Sequence, residues 1–454
     1  MVSAHRRRRA AAGADSGPAL SRRALLRRIV AAIGSSALVA GCDVDDVLST
    51  ADPELVLPSL AERYARLTLK LAKHQPSLVE AWFGSAAWGD GARVPVPVLR
   101  SEARALTGDI ERLARDGTSD LTDVARVTYL LGQIRALDEA AGRLLGESRT
   151  FAEEAQRSFG HVAPPRDAAA LDALRQRLSE LLPGPGPLAE RHAAFRRSLA
   201  VPPDRVEAVF AAAVAWCRNA TRDVLPLPAG DTLTTRAADE GGWAAFSRPA
   251  GPRASDLWVS RRGGADPAHL LQLAAHEATP GHHAQHVLAM ADLVAGRGWT
   301  ERALTPAFGP HRLLAEGAAE AGADLLLPLP TRERICAEVL LPAAGLSPAH
   351  ASRLVTAERL AADLGMEVAY IASDYLDSSL GTEVVTTRLR DEALVLDPAG
   401  MVAFIEKQRS RVLAYPLGRQ LVHQALAGTT AEDRWTRFRT MSTTLTFGRI
   451  MTAA

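Results

Sequence analysis

The chain has 454 residues, 47% of them hydrophobic and 23% charged, with 53 basic and 52 acidic side chains. That balance lies far from the low-hydropathy, high-charge regime of disordered chains and supplies enough apolar surface for a large core. No basic excess points to a nucleic-acid partner, and 3 cysteines are too few for a disulfide-built fold.

The first feature along the chain is a processing signal rather than structure. Arg6–Arg9, "SRRALLRR" (21–28), the apolar run "IVAAIGSSALVA" (29–40) and Gly41-Cys42 give a basic region, a short apolar region and small residues before a cut site. The apolar run is too short to span a bilayer. "SRRALL" resembles the twin-arginine export motif, and "LVAGC" resembles the lipobox of bacterial lipoproteins. Together they imply an exported body, held on the outer face of a membrane by lipid on Cys42. Without residues 1–41 the chain keeps 45 basic and 51 acidic residues, a net charge of about −6.

Residues 42–57 read as a polar tether. From 58 to 225 the pattern is helical, with apolar residues recurring at three and four in "LAERYARLTLKLAKH", "DVARVTYLLGQIRALDEAAGRLL", "AALDALRQRLSELL" and "RVEAVFAAAVAWCRNATRDVL". "APPR", "PGPGP" and "VPPD" separate these helices as turns. The texture changes over 226–266, where Gly, Thr, Ser and aromatics gather, and "DLWVS" (256–260) predicts a short strand. Helices resume at 267, with breaks expected at "PLPT", "GLSP" and "AYPLG". The expected fold is therefore mainly α, a large helical body with one small β-sheet or edge strand. Residues 226–454 are expected to form the functional region, intertwined with 58–225. Cys217 and Cys336 are expected to be separate buried thiols rather than a bridge.

Four of the 12 histidines fall within 11 residues of "AAHEATPGHHAQHVLAM". Asp266 is a good N-cap and Pro267 a good first-turn residue, so a helix starts there. Pro280 stops it from passing unaltered. The familiar zinc helix carries His-Glu-x-x-His, with both imidazoles on one face and the Glu as general base. Here Pro280 occupies the fifth position. On an undistorted helix His283 would share the face of His276. If Pro-Gly bulges out as two extra residues, His282 takes that place instead. A third donor is available in "LLAEGAAEAGADLLLP" (313–328). Glu316 and Glu320 lie one turn apart, on a helix apolar enough to be buried, where unpaired carboxylates are costly. Glu316 as a ligand with Glu320 orienting a ligand histidine is the economical arrangement; the reverse is open. Gly317 and Gly322 make that helix thin enough to approach another closely. His286 is expected to face solvent, and His269 and His311 to be ordinary or supporting residues.

"HEATPGHH" resembles the His-Glu-x-x-Pro-Gly-His motif of the DUF885 family of bacterial proteins, which groups with zinc metallopeptidases of the gluzincin kind. "AEGAAEAGADLLLP" resembles its acidic second segment, "AYPLGRQLV" (414–422) its Tyr-x-x-Gly segment, and "GWAAFSR…DLWVS" the region that supplies an edge strand. The resemblance spans roughly residues 50–450. It implies one Zn2+ held by His276, His282 and Glu316, with His283 and Glu320 as supporting or alternative ligands, Glu277 as base and Tyr415 as oxyanion donor. It also implies a peptide or small amide substrate. Where many relatives read Glu-Gly-Trp-Ala and then Tyr, this chain has Glu316-Gly317-Ala318-Ala319 and Ala321, so an aromatic lining of the pocket is expected to be missing. Arg312, Arg411 and Arg419 are candidates for a substrate carboxylate. The alternatives are a metal-binding envelope lipoprotein without turnover, and a hydrolase of non-peptide amides or esters.

Overall fold

The predicted helices form where the apolar repeat put them. A computed structural model describes residues 53–116, 121–239 and 243–444. The signal over 1–41 and Cys42 lie outside these residues. In chain order the elements are α1 (Pro53–Ala72), β1 (Val79–Trp82), α2 (Val96–Asp116), α3 (Leu121–Leu144), α4 (Phe151–Phe159), α5 (Ala168–Leu181), α6 (Leu188–Ser198) and α7 (Val206–Thr221). Then come β2 (Thr232–Ala238), β3 (Ala245–Gly251), β4 (Ala254–Ser260), α8 (Pro267–Glu277), α9 (His282–Leu288), β5 (Leu304–Pro306) and α10 (Gly309–Leu326). The chain ends with α11 (Leu329–Ile335), α12 (Leu341–Ala344), α13 (Ala351–Ala362), α14 (Gly365–Asp377), α15 (Thr382–Asp391), α16 (Pro398–Gln408), α17 (Ala414–Leu426) and α18 (Ala431–Thr444). With 69% of the described residues helical, the fold is mainly α.

Three boundaries differ from the sequence reading. The tether was expected to run to 57, but α1 begins at Pro53, because Leu57 and Leu60 are already buried in the core. "AYPLG" opens α17 rather than breaking a helix, since Pro416 falls in its first turn, where a proline costs no backbone bond. The β-structure is two sheets, not one. β1 pairs antiparallel with β5, far apart in sequence, and a second sheet has the order β2-β4-β3, with β2 parallel and β3 antiparallel to β4.

In β4 alternate side chains, Ser255, Leu257 and Val259, turn inward and are buried. The opposite face carries a cross-strand ladder, with Phe246 and Trp258 stacked at 6.3 Å between ring centroids and Arg236 over the Trp258 ring at 5.9 Å. β2 and β3 are the two outer strands of this sheet.

Two apolar clusters meet on α10. Leu313, Leu314, Ala318 and Ala321 belong to the cluster built with α1–α4 and α14–α18, while Ala323 and Leu326 belong to the cluster built on α7, β4 and α8. α10 is thus buried over nearly its whole length, and the carboxylates it carries are delivered to the interior. It crosses α17 in direct main-chain contact. A Cβ on Gly317 would lie 2.2 Å from the carbonyl carbon of Gly418, and one on Gly418 would lie 2.4 Å from the Leu313 carbonyl oxygen. Gly322 faces the Phe438 ring and Pro280 in the same way. Cys217 and Cys336 are both buried and both free.

Candidate metal centre and cavity

Asp266 caps α8 as expected: its Oδ1 accepts the His269 backbone N–H at 3.0 Å, and its other oxygen is paired with the buried Arg196. The helix runs to Glu277 and breaks at Ala278. Across the break, which contains a cis Thr279–Pro280 bond, the Gly281 N–H donates to the Ala275 carbonyl and the Ala284 N–H to the Ala278 carbonyl. Gly281 is obligatory, since a Cβ there would sit 1.7 Å from the His276 carbonyl oxygen. The inserted turn advances the chain so that His282, not His283, reaches the face of His276.

His276, His282 and Glu316 present one donor atom each, all within 4.8 Å of one another. Nε2 of His276 lies 3.1 Å, and Nε2 of His282 3.4 Å, from Oε2 of Glu316. Tetrahedral zinc with ligands at ~2.0–2.1 Å sets neighbouring donor atoms ~3.3 Å apart. Two imidazoles and one carboxylate at this spacing are a donor set that suits such an ion, and the residues form a possible three-residue metal-binding cluster. Glu320 lies behind the ring of His276: its Oε1 is 3.0 Å from Nδ1 of His276, while its Oε2 accepts from Gln272 at 3.0 Å.

Electrostatics keep the cluster charged. Burial opposes ionisation of Glu316, but Arg312, His282 and the hydrogen bond from His276 hold its pKa well below the ordinary value. Burial also opposes protonation of His276, yet Glu316 and Glu320 outweigh it and raise that pKa well above the usual histidine value. Arg312 pairs with Glu316 and, at 2.8 Å, with Glu80. Tyr415 stacks near His276 at 6.4 Å between centroids. Burial and the Glu316 charge push its pKa up, so the phenol stays protonated and able to donate.

His283 is not a ligand. Its Nδ1 lies 2.9 Å from the Ser255 hydroxyl and its Nε2 3.1 Å from Asp231, pinning α9 to the sheet. Burial lowers its pKa, with Asp231 opposing. His286 does not face solvent; it is half-buried, with Nε2 2.8 Å from the Gly251 carbonyl. Arg419 is already engaged by Asp324 at 2.7 Å and Asp363 at 3.0 Å. Arg411 is half-buried, and burial together with Arg312 depresses its pKa. Ala318 and Ala321 are buried in the core and do not line the cavity, so the departure there alters packing rather than a pocket wall.

The cluster opens on a cavity of about 1360 Å³. Glu277 lines it next to the ligand histidine, and its Oε2 accepts the Ser247 backbone N–H at 2.8 Å. Residues Ala245–Pro249 of β3 line the cavity, as does Tyr415. Sequence reasoning missed Asp231, Gln272 and Arg302, none of which belongs to a motif, and the role of the Ser247 main chain, although Ser247 lies within "GWAAFSR".

No family model and no curated protein matches the chain. Among solved structures it resembles that of "the putative lipoprotein from Colwellia psychrerythraea", with 14% sequence identity and a TM-score of 0.48 over 79% of this chain and 68% of the other. No helix among the described residues is long and apolar enough to cross a membrane.

Proposed function

We propose that the chain is a zinc-dependent hydrolase of the DUF885, gluzincin-like kind, cleaving amide bonds in short peptides at the outer face of a membrane to which Cys42 tethers it. The observation that carries this reading is the convergence of His276, His282 and Glu316 beside Glu277 on one cavity wall. A zinc ion bound by these three residues supplies Lewis acidity and lowers the pKa of a bound water toward ~7.

The chain's own groups do the rest. Glu277, held by the Ser247 N–H, takes the proton of the attacking water and returns it to the leaving amine. Tyr415, kept protonated, donates to the oxyanion that develops on the scissile carbonyl. The outer strand β3 offers main-chain groups along which an extended peptide can lie. The half-buried Arg312 pairs with the metal-free Glu316 and restrains its orientation.

The test is zinc content and peptide hydrolysis by the full chain beside Glu277→Gln. Loss of turnover by about 10²–10⁴ with zinc retained supports the assignment. Equal activity in both proteins removes Glu277 as base. Zinc uptake with no turnover of a broad peptide, amide and ester library would leave a metal-binding envelope protein instead.

A further inference from the structure

We infer that Arg302 marks a recognition site for the free C-terminal carboxylate of a short peptide, so that the proposed hydrolase acts from a chain end. The catalytic part rests on the zinc reading above; the binding part does not.

Arg302 lies on the 3-10 turn Thr300–Ala303 just before β5 and lines the cavity, although only 6% of it is exposed. Its guanidinium sits over the Tyr129 ring at 4.5 Å. Its Nε and Nη1 have no hydrogen-bond partner, and it forms no ion pair among the described residues. The neighbouring Glu301 cannot help, because both its oxygens are taken by Arg126 at 2.8 Å. His311 Nδ1 beside it is also buried without a partner, while the Tyr129 hydroxyl interacts with Arg302 and Tyr64. Arg312, the next cation along the wall, already has Glu316 and Glu80.

A guanidinium buried without a counter-charge is costly to the fold, so packing does not account for it. What the site lacks is a small anion that only accepts hydrogen bonds, and the planar fork of arginine matches a carboxylate. The imidazole of His311 beside it adds one more unused group of the kind a carboxylate needs. This end of the cavity borders the metal cluster, since His311 and Arg312 precede Glu316 by one turn or so on α10. One stretch of the lining is apolar, from Val368 on α14 and Leu396, Met401 and Phe404 on and before α16, and suits the side chain of an apolar residue. The volume of about 1360 Å³ accommodates a short peptide.

The experiment is calorimetric titration of the full chain, chelated and zinc-loaded, with N-acetyl-leucyl-leucine and with its C-terminal amide. The acid should bind about 10-fold tighter than the amide, or about 1.4 kcal/mol, in the absence of zinc as well as in its presence. Arg302→Met should erase that preference, leave zinc affinity unchanged, and leave the thermal midpoint unchanged or raised. Arg302→Lys should keep part of the preference. The inference is overturned if wild type binds acid and amide alike or binds neither, or if Arg302→Met keeps the preference or fails to fold. Acid preference without zinc uptake would sink the hydrolase reading and leave this site standing; zinc uptake without acid preference would do the reverse.

Discussion

Nδ1 of His276 lies 3.0 Å from Oε1 of Glu320, which turns the other ring nitrogen toward Glu316 and His282. Glu320 touches no other donor of the cluster, so its effect on a metal should be indirect. Glu320→Gln should weaken zinc binding by about 10–100-fold, the usual cost of removing an orienting carboxylate, and Glu316→Gln should weaken it more. Competition with a chelating dye measures both. Wild-type affinity in Glu320→Gln would show that the ring is held by other contacts.

Zinc uptake should release a proton. Against burial, Glu316 and Glu320 raise the pKa of His276 above its usual value in the metal-free fold, which favours the protonated ring between two carboxylates. A metal needs it neutral. Calorimetry at pH 7 in buffers of different ionisation heat should count at least one proton released, and apparent affinity should climb with pH through that raised value. The linkage sign for the metal-free chain follows. A folded pKa above the unfolded one gives stability that is complete below pH 6.5 and fades as pH rises through the folded value. The chelated protein should lose thermal stability toward alkaline pH, and His276→Asn should flatten that loss.

His192 should act in the opposite sense. It is 1% exposed on α6, its Nε2 has no partner, and burial followed by the Arg196 charge lowers its pKa to about 4. The unfolded chain therefore takes up the proton first. Stability should fall as pH drops from 6.5 toward 4, by up to about 3 kcal/mol. His192→Leu should be less sensitive over that window, as read from denaturation midpoints.

Gly418→Ala tests the helix crossing. The added methyl would meet the Leu313 carbonyl oxygen at 2.4 Å and Gly317 Cα at 2.8 Å, so α10 and α17 must separate. Destabilisation of about 1–3 kcal/mol is expected, as for overpacked cores. Zinc affinity should fall with it, because Glu316 adjoins Gly317. Unchanged affinity in a destabilised variant would separate the crossing from the site.

Much of this was legible where the chemistry is local. The Asp266 cap, the stop at Pro280, the β4 strand and the one-turn spacing of Glu316 and Glu320 each depend on neighbours within a few residues. The pairing of Gly317 with a second helix could be expected, but the partner Gly418, 101 positions away, could not. Between His282 and His283 the residues alone left two readings, because helix geometry favoured one and an inserted turn the other. The same limit hid Asp231 and Arg302: a lone acid in a loop and an arginine beside a glutamate look like solvated surface. Only the fold shows that Glu301 is committed to Arg126.

His282 and His283 stand side by side with opposite duties, and the second constrains the first. With both ring nitrogens of His283 anchored to Ser255 and Asp231, the backbone leading into the neighbouring donor is immobilised by the sheet. The ordering of His282 is thereby completed during folding rather than when an ion arrives. Preorganisation of this kind would lower the ordering cost of cation capture, and it would reach the cluster through a residue outside the candidate donor set.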